Sequence, residues 1–267
     1  MGDLTADVYV DTDTVKYGGA ALNMAIWTKR LRARATIVSV VGSDTVGRGF
    51  LGFIRKQTLS ASGVAKKRGR TSSIEIFLTD GERRYGIWTP GVLAGYHLRK
   101  KDKALLKRQD AIVITVYPQY EHVLREFTAW KQTLHNGKRP LIVINYGDLK
   151  GFESNLSVVR RYIHLADILV FGLDKDKDES LINEIRDTTL SSQLSLFTLG
   201  KYGSIAWQNG RAFVEPAKET DAVDTTGAGD SFLAAFLVSY LTTGDIQESL
   251  EKGSLLATRV IGSVGAY

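Results

Sequence analysis

The sequence predicts an α/β protein with a largely parallel central β-sheet, helices on both faces of that sheet, and a small β-sheet lid. Short apolar runs rich in β-branched residues alternate with amphipathic stretches, which implies parallel strands joined by helices. One region breaks this alternation with a hairpin pattern, and glycine-rich turns lie near the ends of predicted strands. Ligands of such sheets bind at the carboxyl ends of the strands, where these turns are expected.

The predicted strands of the central sheet share a length of five or six residues and a high content of Val, Ile, Leu and Phe. They cover residues 36–41, 111–116, 141–146, 167–171 and 194–199. Residues 121–134 and 156–163 have the apolar spacing of amphipathic helices. No internal repeat, low-complexity tract or linker interrupts the pattern.

The break in the alternation is a predicted hairpin. Residues 72–79 and 83–88 have period-two patterning and are joined through Asp80-Gly81. Their polar composition suits a small sheet that closes over an active site, with Arg83 and Tyr85 as candidate ligand contacts. The alternative is a peripheral hairpin that contacts no ligand. A second hairpin is predicted around residues 208–211, at the edge of the central sheet.

The most informative segment is Asp224-Thr225-Thr226-Gly227-Ala228-Gly229-Asp230-Ser231-Phe232. Its glycines leave backbone amides uncovered, and a helix that begins there directs free N–H groups and its positive dipole end at the same space. These features predict a phosphate-binding turn. A carboxylate at position 230 repels an anion but suits a general base in phosphoryl transfer. The alternative is a Gly-rich helix start with an acidic first turn.

The residues after this turn predict two consecutive helices. Apolar residues recur at helical spacing from Phe232 to Tyr240, and Gly244 supplies a stop. Asp245 and Glu248 then have the spacing of a capping box that begins the next helix.

Composition excludes several kinds of site. The chain of 267 residues is 43% apolar and 24% charged, which is ordinary for a globular protein. It has no Cys and four scattered His, so disulfides, thiolate metal sites and a zinc cluster are not expected.

The net charge of +6 comes from dispersed basic clusters without interleaved aromatic residues, so nucleic acid is not an expected partner. Acidic residues occupy the N-terminal region where a signal peptide would need an apolar core, and no apolar run is long enough to span a bilayer. These observations predict a cytoplasmic location without membrane association.

Four short motifs, in order along the chain, resemble those of the ribokinase/PfkB carbohydrate kinase family. They are Gly18-Gly19-Ala20-Ala21-Leu22-Asn23, Gly42-Ser43-Asp44 with Gly47, Thr198-Leu199-Gly200-Lys201-Tyr202-Gly203-Ser204, and Asp224 to Asp230. Each glycine motif is weak alone, whereas four in family order are specific. The resemblance implies a ribokinase-like, Rossmann-type sandwich. It also implies a single domain over residues 1–267, with a lid formed by about residues 8–17 and 71–94.

The resemblance also implies roles for individual residues. Asp230 is expected to be the catalytic base, and the backbone amides of Gly227, Ala228 and Gly229 the anion hole. The expected sugar-binding residues are Asp7, Gly18, Gly19, Asn23, Arg83 and Tyr85. The expected nucleotide-binding residues are Thr198, Gly200, Gly203 and Thr225. Asp224 and Thr226 resemble positions that hold a monovalent cation such as K⁺. The residues alone favour another interpretation, in which Asp7 is a solvated turn residue and Asn23 is a polar residue at a helix N-terminus.

Within the family, the lid segment 83–86, the segment 89–92, the pattern 203–207 and the C-terminal Gly265-Ala266-Tyr267 look most like the fructoselysine 6-kinases. The expected reaction transfers the γ-phosphate of ATP, bound with Mg²⁺, to O6 of fructoselysine. Another sugar or sugar acid, or a catalytically weak relative that binds sugar or nucleotide, are the alternatives. A homodimer through the lid is a further expectation.

Three departures from the family pattern stand out. Leu173 and Asp176 replace the usual Asn-x-x-Glu that organises magnesium and phosphates, which leaves Asp176 as the candidate acid. Asn145 replaces an Asp, with Asp148 as a potential substitute. Gly2-Asp3 is expected to end the first central strand, most of which is expected to be missing.

Overall fold

The computed structural model describes residues 1–79, 82–132, 139–263 and 265–267, with backbone only at 78–79 and 82–83. The chain forms two compact units. Unit 1 comprises residues 1–105 and 119–127, and unit 2 comprises residues 106–118 and 128–267.

The strands of the described residues are numbered in chain order. They are β1 (Thr5–Tyr9), β2 (Thr14–Gly18), β3 (Ser39–Gly42), β4 (Val64–Lys67), β5 (Ser72–Thr79), β6 (Glu82–Thr89), β7 (Ala111–Thr115), β8 (Leu141–Asn145), β9 (Ile168–Gly172), β10 (Leu194–Thr198), β11 (Ser204–Gln208) and β12 (Arg211–Glu215). The α-helices are α1 (Ala20–Arg30), α2 (Thr45–Lys56), α3 (Lys100–Leu106), α4 (Glu121–Gln132), α5 (Ser157–Tyr162), α6 (Glu179–Thr188), α7 (Ala228–Thr243) and α8 (Ile246–Ile261).

A four-stranded sheet in unit 1, termed the lid sheet after its predicted role, has the strand order β2-β1-β5-β6. β1 pairs antiparallel with β2 and parallel with β5, and β5 pairs antiparallel with β6. The predicted hairpin strands are therefore confirmed, and the Asp80-Gly81 turn between them lies outside the described residues. The pleat places Thr5 and Asp7 of β1 on the same face of the sheet as Ser72 of β5.

The second sheet of unit 1 consists of β3 and β4, which run parallel. The strand predicted at residues 36–41 of the central sheet is wrong in its start and in its sheet, because β3 begins at Ser39 and pairs with β4 outside the six-stranded sheet. The reason is the partner strand: Thr36 makes only an isolated bridge to Ser60, and the continuous ladder begins where Ser39 meets Val64.

Unit 2 contains a six-stranded sheet in the order β12-β11-β10-β9-β8-β7. The four strands from β7 to β10 are parallel, and β11 and β12 are antiparallel additions at one edge. The largely parallel sheet is therefore confirmed. Its core includes a row of aromatic rings in which Tyr146 stacks on Phe171, and Phe171 stacks on Phe197, each at 5.3 Å between ring centroids.

The helices after the glycine-rich turn also match the prediction. Gly244 ends α7 in a left-handed conformation, and the Asp245 side chain caps α8 by accepting a hydrogen bond from the Glu248 amide at 2.9 Å. α5 covers the interior of the predicted segment 156–163. α4 covers most of 121–134, whose last two residues lie outside the described part.

The second predicted hairpin joins β11 and β12 at the sheet edge. Asn209 and Gly210 have φ of 53° and 73°, the left-handed pair that a two-residue hairpin turn requires.

In the portions of the chain that the structure describes, no helix combines the length and the apolar character needed to cross a membrane.

Gly203 is expected to be more sensitive to substitution than Gly210. Both have positive φ, but a Cβ at Gly203 would lie 2.1 Å from the Glu215 carbonyl oxygen, whereas a Cβ at Gly210 meets open space. Gly210→Ala should lower the free energy of unfolding by about 1–2 kcal/mol, the ordinary left-handed penalty. Gly203→Ala should cost about 3 kcal/mol or more, because backbone must also move. Chemical denaturation measures both, and equal losses would contradict the close packing at Gly203.

Candidate active site

The predicted phosphate-binding turn lies at the N-terminus of α7 in unit 2. Gly227 precedes the helix with φ of 75°, and a Cβ there would lie 2.5 Å from the Cβ of Ala266. The Ser231 amide donates to the Gly227 carbonyl oxygen at 2.9 Å, the first i to i−4 bond of the helix. Asp230 is half-buried in the first helical turn. The turn therefore presents helix-start amides and one carboxylate, as the sequence predicts.

The expected anion-hole amides are not equivalent. The Ala228 amide donates to the Thr225 carbonyl oxygen at 3.2 Å, so it has a partner within the turn. Gly229 is exposed and Gly227 half-exposed. Any bound anion would compete with Thr225 for the Ala228 amide.

Asp224 ties the turn to the C-terminal residues. One of its carboxylate oxygens accepts a hydrogen bond from the Thr226 amide at 2.9 Å, and the other accepts one from the Gly265 amide at 2.8 Å. The amides of Val223 and Asp224 both donate to the Ile261 carbonyl oxygen. Asp224 and Thr226 are thus adjacent, and both Asp224 oxygens hold backbone amides. The carboxylate keeps lone pairs that suit a hard cation.

Three of the expected nucleotide-binding residues, Thr198, Gly200 and Gly203, lie at the end of β10 and in the turn after it, whereas Thr225 lies in the turn before α7. Thr198 ends the strand, and the Leu199 amide donates to the Gly203 carbonyl oxygen at 2.8 Å, which closes a tight turn. Gly200 and Gly203 have φ of 55° and 86°. In the sheet register Thr198 lies opposite Gly172, so the turns after β9 and β10 are neighbours.

The turn after β9 contains the departure from the Asn-x-x-Glu pattern. Leu173 is buried, whereas Asp176 is exposed and accepts a hydrogen bond from the Tyr202 hydroxyl. The ammonium groups of Lys175 and Lys201 lie 5.4 Å and 5.0 Å from the centroid of the Tyr202 ring. Two cations and a carboxylate therefore surround Tyr202. Sequence reasoning missed these lysines, although the alternating charges of residues 174–178 were a visible signal.

The acids near this turn allow a test of fit for magnesium. Across the described residues, no group of three or more His, Asp or Glu side chains is placed to hold a metal ion. Asp174 pairs with Lys177 at 3.1 Å, and Asp178 accepts the Asp174 amide at 2.8 Å. A single exposed carboxylate, that of Asp176, fits a Mg²⁺ ion that arrives with nucleotide phosphates, the usual arrangement for this metal.

Asn145 and Asp148 have local structural partners. The Asn145 side-chain oxygen accepts the Gly147 amide at 3.0 Å. Asp148 accepts the Lys150 amide at 3.0 Å and pairs with the Lys150 ammonium at 3.1 Å. Both side chains therefore stabilise the turn after β8.

Four of the six expected sugar-binding residues lie around one turn of unit 1. Gly19 precedes α1 with φ of 96°, and the amide of Asn23 donates to its carbonyl oxygen at 3.0 Å. A Cβ at Gly18 would lie 3.4 Å from a carboxylate oxygen of Asp7. Asp7, Gly18, Gly19 and Asn23 thus lie around one turn, and their role in binding a sugar stays a prediction.

The other two expected sugar-binding residues, Arg83 and Tyr85, lie on β6. Tyr85 is 62% exposed on β6. Arg83 pairs with Leu78 through the backbone, and its side chain lies outside the described residues.

The second glycine motif, Gly42-Ser43-Asp44 with Gly47, has a structural role in unit 1. Asp44 caps α2 through the Gly47 amide at 2.9 Å and accepts both the amide and the hydroxyl of Thr71 at 2.8 Å and 2.6 Å. Burial acts to raise the pKa of Asp44, but the hydrogen bonds from Thr71 and Gly47 outweigh it and hold the pKa below its ordinary value.

The model of the pfkB family carbohydrate kinases matches residues 4–267 of the chain. The chain belongs to this family. It is therefore an ATP-dependent carbohydrate kinase, a phosphotransferase with an alcohol group as acceptor. The resemblance and the fold class predicted from the sequence are confirmed.

Two curated relatives are similar over most of their length. Fructoselysine 6-kinase of Escherichia coli (strain K12) is 26% identical over 269 residues, covering 100% of this chain and 98% of that protein. Fructosamine kinase FrlD of Bacillus subtilis (strain 168) is 26% identical over 277 residues, covering 100% of this chain and 91% of that protein. Among solved structures, a sugar kinase from Pyrococcus horikoshii in complex with ATP has a TM-score of 0.80 at 22% identity, covering 99% of this chain and 92% of that chain. That likeness shows the ribokinase-like α/β fold.

Asp44→Asn is expected to destabilise the protein in a pH-dependent way. A carboxylate whose folded-state pKa is lowered contributes stability above its unfolded pKa, and this contribution is lost as pH falls through the folded pKa. The loss should be about 1–3 kcal/mol at pH 7, because the Thr71 amide loses its acceptor, and it should shrink below about pH 4. Thermal unfolding from pH 2.5 to 7 measures it, with the exposed Asp187→Asn as control. A pH-independent difference would contradict the charged role of Asp44.

Proposed function

We propose that the enzyme transfers the γ-phosphate of ATP to O6 of fructoselysine, with Asp230 as the general base. The observation that carries the mechanism is the turn at the start of α7, where a left-handed glycine, helix-start amides and a carboxylate lie within four residues. Unit 2 supplies the phosphate and nucleotide residues, and unit 1 supplies the sugar residues. The two units are proposed to serve as one catalytic domain.

Asp230 takes the proton of the attacking primary hydroxyl as the new O–P bond forms, and ADP leaves with the electrons of the broken P–O bond. The amides of Gly227, Ala228 and Gly229 and the positive end of α7 stabilise the charge on the transferred phosphoryl group. The positive end of a helix dipole favours a negatively charged group in the first helical turn, and a carboxylate in that form is able to accept a proton.

The nucleotide is proposed to bind along Thr198, Gly200, Gly203 and Thr225. Asp176 would hold Mg²⁺, which neutralises phosphate charge when it is bound. Asp224 and Thr226 would hold a monovalent cation such as K⁺. Lys175 and Lys201 add positive charge at the same turns.

Two observations support fructoselysine as the substrate. One is the names of the two curated relatives, and the other is the grouping of Asp7, Gly18, Gly19 and Asn23 around one turn of unit 1. Asp7 can accept two hydroxyl hydrogen bonds, and Asn23 can donate and accept. At 26% identity the preference for one sugar depends on a few side chains, so another sugar or sugar acid is the second candidate.

The purified protein is expected to release ADP in the presence of fructoselysine, and more slowly with fructose, ribose, glucoselysine or 2-keto-3-deoxygluconate. Asp230→Asn should lower kcat by about 10²–10⁴-fold, because general-base catalysis contributes that much. Its affinity for ADP, measured by calorimetry, should stay within about threefold, since the base binds the sugar hydroxyl.

Asp221→Asn, an exposed acid before the turn, is the matched control and should keep wild-type turnover. Turnover that prefers another sugar would overturn the substrate and retain the mechanism. Full activity of Asp230→Asn would overturn the mechanism.

We also propose that two copies associate through the lid sheet. Its edge strands, β2 and β6, carry exposed apolar side chains: Val15 is 39%, Tyr85 62% and Ile87 69% exposed. Exposed edge strands with apolar residues favour pairing with another chain.

Ile87→Lys is expected to convert a dimer into a monomer, because a charge at the interface would lose its hydration. Sedimentation velocity measures the change. Leu190→Lys, which is 53% exposed on a loop of unit 2, should leave the dimer intact. A wild-type monomer at micromolar concentration would overturn the association.

A further inference from the structure

Asp3 caps the helix that begins at the sugar-binding turn. One of its carboxylate oxygens accepts a hydrogen bond from the amide of Ala20, the first residue of α1, at 3.1 Å. A Cβ at Gly19 would lie 2.7 Å from the Asp3 carbonyl oxygen and 2.8 Å from its carboxylate. Asp3 therefore fits closely against Gly19, and its charge stabilises the positive end of α1.

The second carboxylate oxygen of Asp3 begins a chain of side-chain hydrogen bonds across the lid sheet. It accepts the hydroxyl of Thr5 on β1 at 2.6 Å. The hydroxyl oxygens of Thr5 and Ser72 on β5 lie 2.9 Å apart, and the indole N–H of Trp88 on β6 donates to the Ser72 hydroxyl at 3.0 Å. The chain crosses three neighbouring strands and ends at the helix start.

The direction of the middle bond follows from the donor count. A carboxylate only accepts, so the single hydroxyl proton of Thr5 goes to Asp3. Ser72 must then donate to Thr5, and it receives the Trp88 proton on its own oxygen. All donors point the same way, from the indole to the carboxylate, an arrangement in which each bond polarises the next.

The chain of hydrogen bonds from Trp88 to Asp3 is shielded from water at its centre. Asp3 is 6%, Thr5 5% and Ser72 1% exposed. Buried polar groups that lose a partner are costly, and hydrogen bonds are stronger where water is excluded. A shift of Trp88 therefore changes the position of Ser72 and Thr5, because solvent cannot replace a broken link.

We propose that Asp3 is a positioning residue of the sugar site and that the chain Trp88–Ser72–Thr5–Asp3 couples the outer lid strand β6 to the turn at Gly18 and Gly19. This inference rests on the proposed function, since the turn is a sugar site only if the enzyme binds a sugar there. Binding of the sugar at Asp7 and Asn23 holds the turn, and the chain transmits that constraint to β6.

Ser72→Ala and Thr5→Val remove the middle links without adding volume. Each is expected to raise the KM for the sugar about tenfold, while the KM for ATP changes less than about twofold. Thr5→Val removes the donor to the Asp3 carboxylate, and Ser72→Ala removes the link between Thr5 and Trp88. Thr5→Ser keeps the hydroxyl and should restore the wild-type KM. Ser73→Ala is the matched control, since Ser73 is the next residue of β5 on the opposite face. A purely structural role would lower the melting temperature and leave the KM for the sugar unchanged.

Amide hydrogen exchange without sugar tests the coupling independently of turnover. In folded Ser72→Ala and Thr5→Val, faster exchange is expected together in residues 18–24 and 84–89, and in neither segment of Ser73→Ala. Faster exchange confined to β5, or an unchanged KM for the sugar in both variants, would overturn the coupling. If the wild type phosphorylates no sugar, the proposed function fails, and the exchange result still decides whether the chain couples the two segments.

Discussion

A helix N-terminus is stabilised by negative charge, and this constraint shapes both the turn before α1 and the turn before α7. The first amides of a helix have no partner within it, and the aligned peptide dipoles add partial positive charge there. At the start of α1 the negative charge comes from within the protein, because the buried carboxylate of Asp3 accepts a hydrogen bond from the Ala20 amide. In α7 the preceding residue is Gly227, which has no side chain to cap the helix. The same physical feature therefore acts in a turn that Asp3 caps at α1 and in a turn at α7 that is proposed to bind an anion.

Packing explains why glycine is required at the α7 turn. Gly227 adopts a left-handed conformation against Ala266, where any Cβ would overlap the C-terminal residues. Those residues are in turn held by Asp224, which accepts the Gly265 amide. Close packing also anchors the helix itself, because a Cβ at Gly253 of α8 would lie 2.8 Å from the Phe232 ring. Rigid support of this kind is needed for preorganised amides to stabilise developing charge.

The sequence was sufficient for features that depend on neighbouring residues. Period-two and helical patterns gave the strands and helices to within a few residues, and Asn209-Gly210 and Asp245 marked a turn and a cap whose chemistry is local. Residues that act through distant partners were missed. Ser72 meets Thr5 from 67 positions away, and Asp3 caps a helix 17 positions later. No pattern in the sequence reports such contacts, because they arise only when strands are paired.

The turn after β9 illustrates the same limit at the nucleotide residues. Leu173 and Asp176 were recognised as departures from a motif, but the environment of Asp176 depends on the turn after β10. Pairing of β9 with β10 brings Tyr202 to Asp176 and places two lysines beside its ring. A carboxylate among cations can still hold Mg²⁺ together with phosphate oxygens, since the phosphates supply most of the negative charge.

Phosphorus NMR of the reaction mixture tests the central claim, transfer of a phosphoryl group to a sugar hydroxyl, most directly. With ATP, Mg²⁺ and fructoselysine, the account predicts a phosphomonoester resonance that is coupled to two methylene protons and grows in step with ADP. Inorganic phosphate as the sole phosphorus product besides ADP, or a phosphomonoester on a secondary hydroxyl, would contradict it.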